Sequence, residues 1–546
     1  MIAIAPSALL DSLDPAQRAA ATLPDGPAQV IAPAGSGKTT TLIARLGVLL
    51  GRGVAAERIL VVTFNRDAAV ELSDRVRGRL VPELPAAAGI EVRTLHALAR
   101  QVLLDAGHGV RLVADRLPLL RAARRRSRLG RRSDEPPPPD AATLDMLLSI
   151  WKIEGRPPPP EARPALAEFG ALLTARGAID FDDLVVRACD LLDTDRLLRD
   201  RWQARFSHLL VDEFQDVDAA QLRLVRILAE PEDNLMVVGD DDQTIYAWRL
   251  ADVRRILDFG LSYRMASRIQ LSTNYRCPPA VVSASDRLIA VNLERFAKQI
   301  TAGSAMKDER PQLLAVATDS PDWPDRLVGL ARAASADGSV CFLARTRTEL
   351  TPAMLALVRA MVPHRTSLSA PVEAEPVVAL AEALRRSPGN GPPFEPLCHL
   401  RAARRWTRAE DELGDEDHAA LDAFLGWSAG FGSGAAFLEG YDTARQRLAA
   451  LRDPSAPIEL VTVHGAKGRE WQTVVIVGFE EDRFPNRRAL VGAALPERAI
   501  EEERRLAYVA LTRARRQLIL AFDPARPSRF LAEMGYRPTL RATTER

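Results

Sequence analysis

Gln29-Val30-Ile31-Ala32-Pro33-Ala34-Gly35-Ser36-Gly37-Lys38-Thr39-Thr40 is the stretch on which the reading of the whole chain turns. Its apolar start predicts a buried strand, its small residues a loop, and residues 40–50 a helix, the order a phosphate-binding loop needs. Small residues let backbone N–H groups curl around phosphate oxygens, and a helix N-terminus adds a favourable dipole. Ala34, Gly35, Ser36 and Gly37 would form that cradle, with Thr40 at the start of the helix. Lys38 would reach the terminal phosphates and the Thr39 hydroxyl would take a place on Mg²⁺. The strict pattern has glycine where Ala32 stands, so alone the stretch also fits a chance glycine-rich turn. Later stretches decide between the two.

Composition bounds the rest. A chain of 546 residues is long enough for several hydrophobic cores and predicts several domains. Its 47% apolar and 5% aromatic content is that of an ordinary soluble globular protein. With a net charge of +1, any nucleic-acid surface must be local. Only five of the 73 basic residues are lysines: Lys38, Lys152, Lys298, Lys307 and Lys467. A chain so given to arginine yet carrying Lys38 in its phosphate loop needs a compact ammonium there. Cys189, Cys277, Cys341 and Cys398 are far apart and make no CxxC pair, which suggests neither a zinc site nor an iron–sulfur cluster and fits a reducing cytosol. No apolar run reaches 18 residues and no signal-like segment opens the chain, so neither secretion nor membrane insertion is expected.

Taken in order, Leu13-Asp14-Pro15-Ala16-Gln17-Arg18 opens a helix. The Gln17 amide suits the edge of an adenine base and equally an ordinary helix surface. Residues 59–64 read as a second buried strand, followed by a helix over 68–76, and a third strand lies near Val92. Strands alternating with helices predict a parallel α/β sheet with ligands at the strands' carboxyl ends. Residues 97–201 turn mostly helical, with two proline tracts and an arginine run from Arg121 to Arg132. That run fits a phosphate backbone or a solvated segment equally well.

Residues 206–211 then lead into Asp212-Glu213-Phe214-Gln215-Asp216, an acidic pair ending a buried strand, as a metal ligand and a water-activating base require. Another strand, 235–238, leads into Gly239-Asp240-Asp241-Asp242-Gln243-Thr244-Ile245-Tyr246-Ala247-Trp248-Arg249. An amide, two aromatics and an arginine there suit phosphate sensing and base stacking, although the aromatics alone also read as core. Leu271-Ser272-Thr273-Asn274-Tyr275-Arg276 follows, then a second α/β region with strands over 340–344, 458–463, 473–477 and 517–522. Thr462-Val463-His464-Gly465-Ala466-Lys467-Gly468-Arg469-Glu470 and a helix over 501–514, containing Arg513, complete it. Residues 370–455, with a glycine and proline break at 387–393, read as a helical insertion.

This ordered set, spanning residues 13–522, resembles the superfamily 1A DNA helicases of the UvrD/Rep/PcrA type in a short form. The resemblance implies an α/β fold of two RecA-like P-loop NTPase lobes with mainly helical insertions. By position, residues 1–96 with 202–285 correspond to the first lobe and 286–369 with 456–546 to the second. Residues 97–201 and a reduced 370–455 correspond to the two insertions. ATP and Mg²⁺ are implied as cofactors, between the lobes. Gln17 and Tyr275 correspond to the adenine contacts, Lys38, Thr39 and Asp212 to the phosphate and metal residues, and Glu213 to the water-activating base. Gln243 corresponds to the γ-phosphate sensor, Arg276 and Arg513 to the arginine fingers, and Glu470 to a ribose contact. Phe64, Thr94, His96, Tyr246, Trp248, Arg249, Thr462 and His464 fall where the family meets single-stranded DNA.

The implied activity is 3′ to 5′ movement on single-stranded and tailed duplex DNA in repair or recombination, in a bacterial cytoplasm at the nucleoid. Three departures stand out: Thr40 where relatives carry arginine, Asn65-Arg66-Asp67 after Phe64, and Arg469 at an apolar position. The reduced insertion keeps open a translocase subunit serving a nuclease or repair partner, as in phage defence. An inactive DNA-binding scaffold and an RNA substrate are the remaining alternatives.

Overall fold

The computed structural model describes residues 7–128, 136–303, 310–316, 320, 322–386, 389, 391–406, 413–493 and 495–537. Arg131 and Arg132 of the arginine run, and Ser387, Pro388 and Asn390 of the predicted break, lie outside the described residues. The chain divides into two compact units, Met1–Ser272 with Glu294–Lys298, and Thr273–Leu293 with Gln299–Arg546.

The first unit is built on six parallel strands: β1 (Ala28–Ile31), β2 (Ile59–Thr63), β3 (Glu91–Thr94), β4 (His208–Val211), β5 (Leu235–Gly239) and β6 (Ser267–Gln270). Their order is β3-β2-β4-β5-β1-β6. β1, β2, β4 and β5 are buried along their whole length, which is why they read as continuous apolar runs instead of alternating ones. Successive side chains point to opposite faces, and each face has its own core. Val30, Val61, Leu210 and Val238 pack with helix Lys38–Gly51, while Ile31, Val62, Val211 and Val237 pack with helices Leu95–Asp105 and Ala219–Ala229. Helices Leu117–Ser127, Ala141–Glu154 and Arg163–Ala175 form a satellite core around Leu120, Leu148 and Phe169.

In the second unit two short strands, β7 (Thr273–Asn274) and β8 (Thr301–Ala302), pair with each other. A second parallel sheet comprises β9 (Gln312–Ala315), β10 (Val340–Ala344), β11 (Arg365–Thr366), β12 (Ile458–Thr462), β13 (Trp471–Ile476) and β14 (Ala514–Phe522), ordered β11-β12-β10-β13-β14-β9. One face of it shares a single core with helices Arg347–Arg359, Glu375–Arg386, Asp415–Ser428 and Gly434–Leu451, centred on Phe342, Leu357, Phe424 and Tyr441.

The helix expected over 501–514 instead runs Pro496–Leu511. Thr512 turns its hydroxyl back to the Tyr508 carbonyl at 2.7 Å, and Ala514 already belongs to β14. Arg513 therefore stands in a tight helix-to-strand turn. No helix among the described residues is long and apolar enough to cross a membrane.

Candidate functional site

The loop between β1 and helix Lys38–Gly51 is held by backbone geometry. Gly37 caps the helix at φ +81°, and a Cβ there would lie 2.5 Å from Gln17 Nε2. The Gln17 side chain is buried: its Nε2 donates to the Ser36 carbonyl at 2.9 Å, and its Oε1 accepts from the Asp14 N–H at 3.2 Å. Asp14 in turn accepts from the Gln17 N–H at 2.8 Å, a capping box at the start of helix Pro15–Ala21. Gln17 thus braces the loop from behind. The Ser36 hydroxyl is buried without a hydrogen-bond partner among the described residues, a donor that a phosphate oxygen would satisfy. Lys38, Thr39 and Thr40 form the half-buried first turn.

β4 delivers the acids. Lys38 Nζ lies 3.1 and 3.2 Å from the two Glu213 oxygens. Burial works to lower the Lys38 pKa, but Glu213, Asp212 and Asp240 outweigh it and hold it raised. Burial, then the neighbouring Glu213, pushes Asp212 up to about 7 against the pull of Lys38. Two carboxylates facing one ammonium leave a deficit of positive charge that a bound cation would correct. Glu213 occupies the left-handed region at φ +53°, uncommon for a side-chain-bearing residue. Gln215, quoted in the sequence but given no role there, keeps it in place. Its Nε2 donates to Glu213 Oε2 and its Oε1 accepts from the Asp240 N–H at 3.0 Å. A Cβ at Gly239 would come 2.5 Å from that Gln215 oxygen, so the end of β5 needs glycine.

Past β5, the buried Gln243 donates through Nε2 to Asp240 Oδ2 at 2.7 Å. The same loop carries an aromatic row. Phe64 stacks on Tyr246 at 4.9 Å, Tyr246 meets Trp248 edge-on at 6.3 Å, and the Arg249 guanidinium lies 4.6 Å from the Trp248 ring. Trp248 is 60% exposed. Asn65 caps helix Arg66–Arg79 by accepting from the Ala68 N–H at 2.8 Å, which gives the Asn65 departure a local structural reason. Thr94 likewise caps helix Leu95–Asp105. His96 packs edge-on against Phe181 at 5.6 Å. Burial lowers its pKa, with Asp182 opposing and Arg249 adding to the shift. Phe181, exposed at the start of helix Phe181–Thr194, was not singled out from sequence, because it shares a helical register with the buried Leu184, Val185 and Ala188.

The second unit holds the remaining sequence-derived candidates. Tyr275 is 47% exposed and lies against Gly303, where a Cβ would approach its ring to 3.0 Å. Arg276 donates from Nε to Glu470 Oε2 and from Nη1 to the Thr512 carbonyl at 3.3 Å. Glu470 also faces Arg515 at 3.3 Å. Burial would raise the Glu470 pKa, but Arg276 and Arg515 hold it below its ordinary value. Arg513 is buried and donates to the carbonyls of Val509 (2.9 Å) and Arg469 (3.3 Å). Arg276, Glu470 and Arg513 therefore form one cluster within this unit. Arg469 pairs with the buried Glu459 and covers the Trp471 ring at 5.0 Å, so its charge is matched at the position expected to be apolar. Thr462 ends β12, and His464 opens the short turn His464–Ala466 that follows.

Comparison with known proteins gives the family. The UvrD/REP helicase N-terminal domain matches residues 13–132 and 143–264, and the UvrD-like helicase C-terminal domain matches residues 437–523. Over 622 aligned positions the chain is 30% identical to the ATP-dependent DNA helicase UvrD2 of Mycobacterium tuberculosis (strain H37Rv), covering 99% of this chain and 84% of that protein. The chain belongs to the UvrD-like helicase family. This UvrD-like helicase is also 26% identical to the ATP-dependent DNA helicase PcrA of Bacillus subtilis (96% of this chain, 86% of that one). It is 27% identical to DNA helicase II of Escherichia coli (97% and 88%). Within the UvrD-like chain, the N-terminal match contains Gln17, Lys38, Asp212, Glu213, Gln243 and Trp248, and the C-terminal match contains Thr462, His464, Glu470 and Arg513. Tyr275 and Arg276 lie between the two matched regions.

Proposed function

We propose that this chain is an ATP-driven motor that moves 3′ to 5′ along single-stranded DNA and opens tailed duplexes, acting at the bacterial nucleoid in repair or recombination. One observation carries the proposal: Gln243, beside the acids that face Lys38, and the stack of Tyr246, Trp248 and Arg249 stand on one loop after β5. A change at the nucleotide is thereby connected through a few residues of backbone to a grip on bases. Base stacking on an aromatic ring contributes about 1–3 kcal/mol per base and ignores sequence, which suits a motor that must pass over any base.

The two parallel sheets support a reading as two RecA-like lobes, with residues 97–201 and 370–455 inserted in them. In that reading the N–H groups of the Ala34–Gly37 loop, the Ser36 hydroxyl and Lys38 hold the phosphates. Lys38 exchanges its Glu213 partner for phosphate oxygens, which leaves the Glu213 carboxylate to orient the attacking water and accept its proton. Thr39 and Asp212 would hold Mg²⁺, which when bound offsets phosphate charge. Gln17 and Tyr275 take the adenine and Glu470 the ribose, so Gln17 must give up a capping contact to do so. Arg276 and Arg513 supply positive charge to the transition state, an effect of about 10³–10⁵ in rate in other NTPases. In the first unit Phe64, Thr94, His96, Tyr246, Trp248 and Arg249, with Phe181 added, grip the strand, and in the second unit Thr462 and His464 do so.

The test compares ATP-dependent unwinding of 3′-tailed and 5′-tailed duplexes, each with and without a protein block on the tail. Unwinding of the 3′-tailed substrate alone is expected. Equal unwinding of both would refute the polarity. Removal of the block without strand separation would replace the helicase reading with a translocase working for a nuclease or repair partner.

A further inference from the structure

The side chain of Lys298 is wholly buried, and its Nζ lies 2.9 Å from Asp240 Oδ1, 2.6 Å from Asp241 Oδ1 and 2.7 Å from Asp242 Oδ2. Arg295 grips Asp242 with two bonds of 2.9 Å, and the Phe296 N–H donates to Asp241 Oδ2 at 2.8 Å. Five residues, Glu294–Lys298, thus insert into the first unit, although the chain on both sides of them belongs to the second. Burying three consecutive carboxylates is costly unless each is paired. Here two cations from one short segment meet the need, although burial still raises Asp241 to about 6 against the pull of Lys298.

The cluster also leads to the site. One Asp240 oxygen accepts from Lys298 and the other accepts from Gln243 Nε2 at 2.7 Å. The Asp240 N–H meanwhile donates to Gln215, whose amide holds Glu213. A single aspartate therefore stands between Lys298 and both the amide and the carboxylate assigned to the γ-phosphate end. We propose that Lys298 is a positioning residue for ATP hydrolysis, fixing Asp240 so that the Gln243 amide and, through Gln215, the Glu213 carboxylate are aimed at the reacting phosphate. This rests on the roles given to Gln243 and Glu213 above. It adds that their alignment depends on a short segment of the first unit that lies, in sequence, beyond Thr273–Leu293 of the second.

The experiment measures steady-state ATP turnover with and without single-stranded oligothymidine, and the affinity for a fluorescent ADP, which lacks the γ-phosphate. The variants are Lys298→Met/Asp241→Asn, which removes one charge of each sign, Lys298→Arg, Gln243→Ala, and the first combined with Gln243→Ala. Expected is a fall in kcat of about 10²-fold for Lys298→Met/Asp241→Asn, the cost of a misplaced catalytic group. ADP affinity should stay unchanged, Lys298→Arg should recover part of the rate, and the combined variant should be slowed by less than the product of the two separate losses, because Gln243 is only one of the two groups that Asp240 aligns. A folded double variant with wild-type kcat, or losses that multiply in the combined variant, would overturn the proposal. Should the double variant melt below the assay temperature, Asp240→Asn carries the same two outcomes, since Asp241 and Asp242 remain balanced by Lys298 and Arg295. Wild-type kcat in Gln243→Ala would instead remove the sensor role itself, and the proposal with it.

Discussion

Gly37→Ala probes whether Gln17 braces the phosphate loop. Two costs are separable in the structure. The first is conformational: Gly37 has φ +81°, and a left-handed residue with a Cβ costs about 1–2 kcal/mol. The second is steric: the new methyl would sit 2.5 Å from Gln17 Nε2. Gln17 must then swing away, losing its bonds to the Ser36 carbonyl and the Asp14 N–H, each worth about 1 kcal/mol. Gly53 supplies the control, with φ +88° and, among the described residues, nothing within 4 Å of its would-be Cβ. Gly53→Ala should destabilise the protein by the first cost alone, and Gly37→Ala by about 1–2 kcal/mol more. Urea unfolding followed by circular dichroism measures both. Adding Gln17→Ala should shrink the extra loss, because the methyl then has room, and this double-mutant cycle isolates the contact. Equal losses for Gly37→Ala and Gly53→Ala, or an extra loss that Gln17→Ala leaves untouched, would refute the bracing argument.

Trp248→Ala should weaken single-stranded DNA binding by about 1–3 kcal/mol, or roughly 5- to 150-fold, in fluorescence anisotropy. Arg249→Ala should instead lower the salt dependence by about one ion. A Trp248→Ala variant that binds like wild type removes the stacking platform. Lys38→Ala and Glu213→Gln should both abolish DNA-stimulated ATP turnover, and nucleotide affinity should separate them: Lys38→Ala loses it and Glu213→Gln keeps it. Retained turnover in either would take that residue out of the chemistry. For pH, the usable group is Asp218, the N-cap of helix Ala219–Ala229, which burial pushes up to about 6. The folded state then binds the proton more tightly than the unfolded chain, so this group makes folding more favourable as pH falls through 6 toward the unfolded value near 4. Asn caps as well as Asp, so Asp218→Asn should be the more stable protein at pH 8, with the gap closing by about pH 4 in urea titrations. A gap independent of pH would show that Asp218 carries no such shift.

Much of this was legible because burial on both faces leaves its mark on a strand. β2, β4, β5 and β10 read as largely apolar runs, and β1, β12 and β13 do so around the polar Gln29, Glu459, Gln472 and Thr473, whereas β6 (Ser267–Gln270) and β9 (Gln312–Ala315) lie at sheet edges and were not read as strands, and β11 has only two residues. The helix before Arg513 was read too far because Thr512-Arg513-Ala514 carries no helix breaker, and only pairing with β13 ends it. The phosphate loop, the acid pair and the aromatic row were visible as ordered local patterns. The contacts that orient them were not. The brace from Gln17 to Ser36 spans 19 positions, and the bond from Lys298 to Asp240 spans 58, so neither has a local pattern to betray it. Phe181 was hidden for the opposite reason: an exposed aromatic in register with core residues looks like core until its exposure is known.

The insertion of Glu294–Lys298 into the first unit also sets where this protein can be cut. A fragment stopping at Ser272, where the first unit's main run of chain ends, would bury Asp240, Asp241 and Asp242 with neither Lys298 nor Arg295 to neutralise them. Its sheet would be complete, since β1 to β6 all precede that point, yet its loop after β5 would face mutual charge repulsion. A fragment meant to keep the first unit's loop balanced therefore has to run past the end of its own sheet to Lys298, carrying along Thr273–Leu293 as a tether.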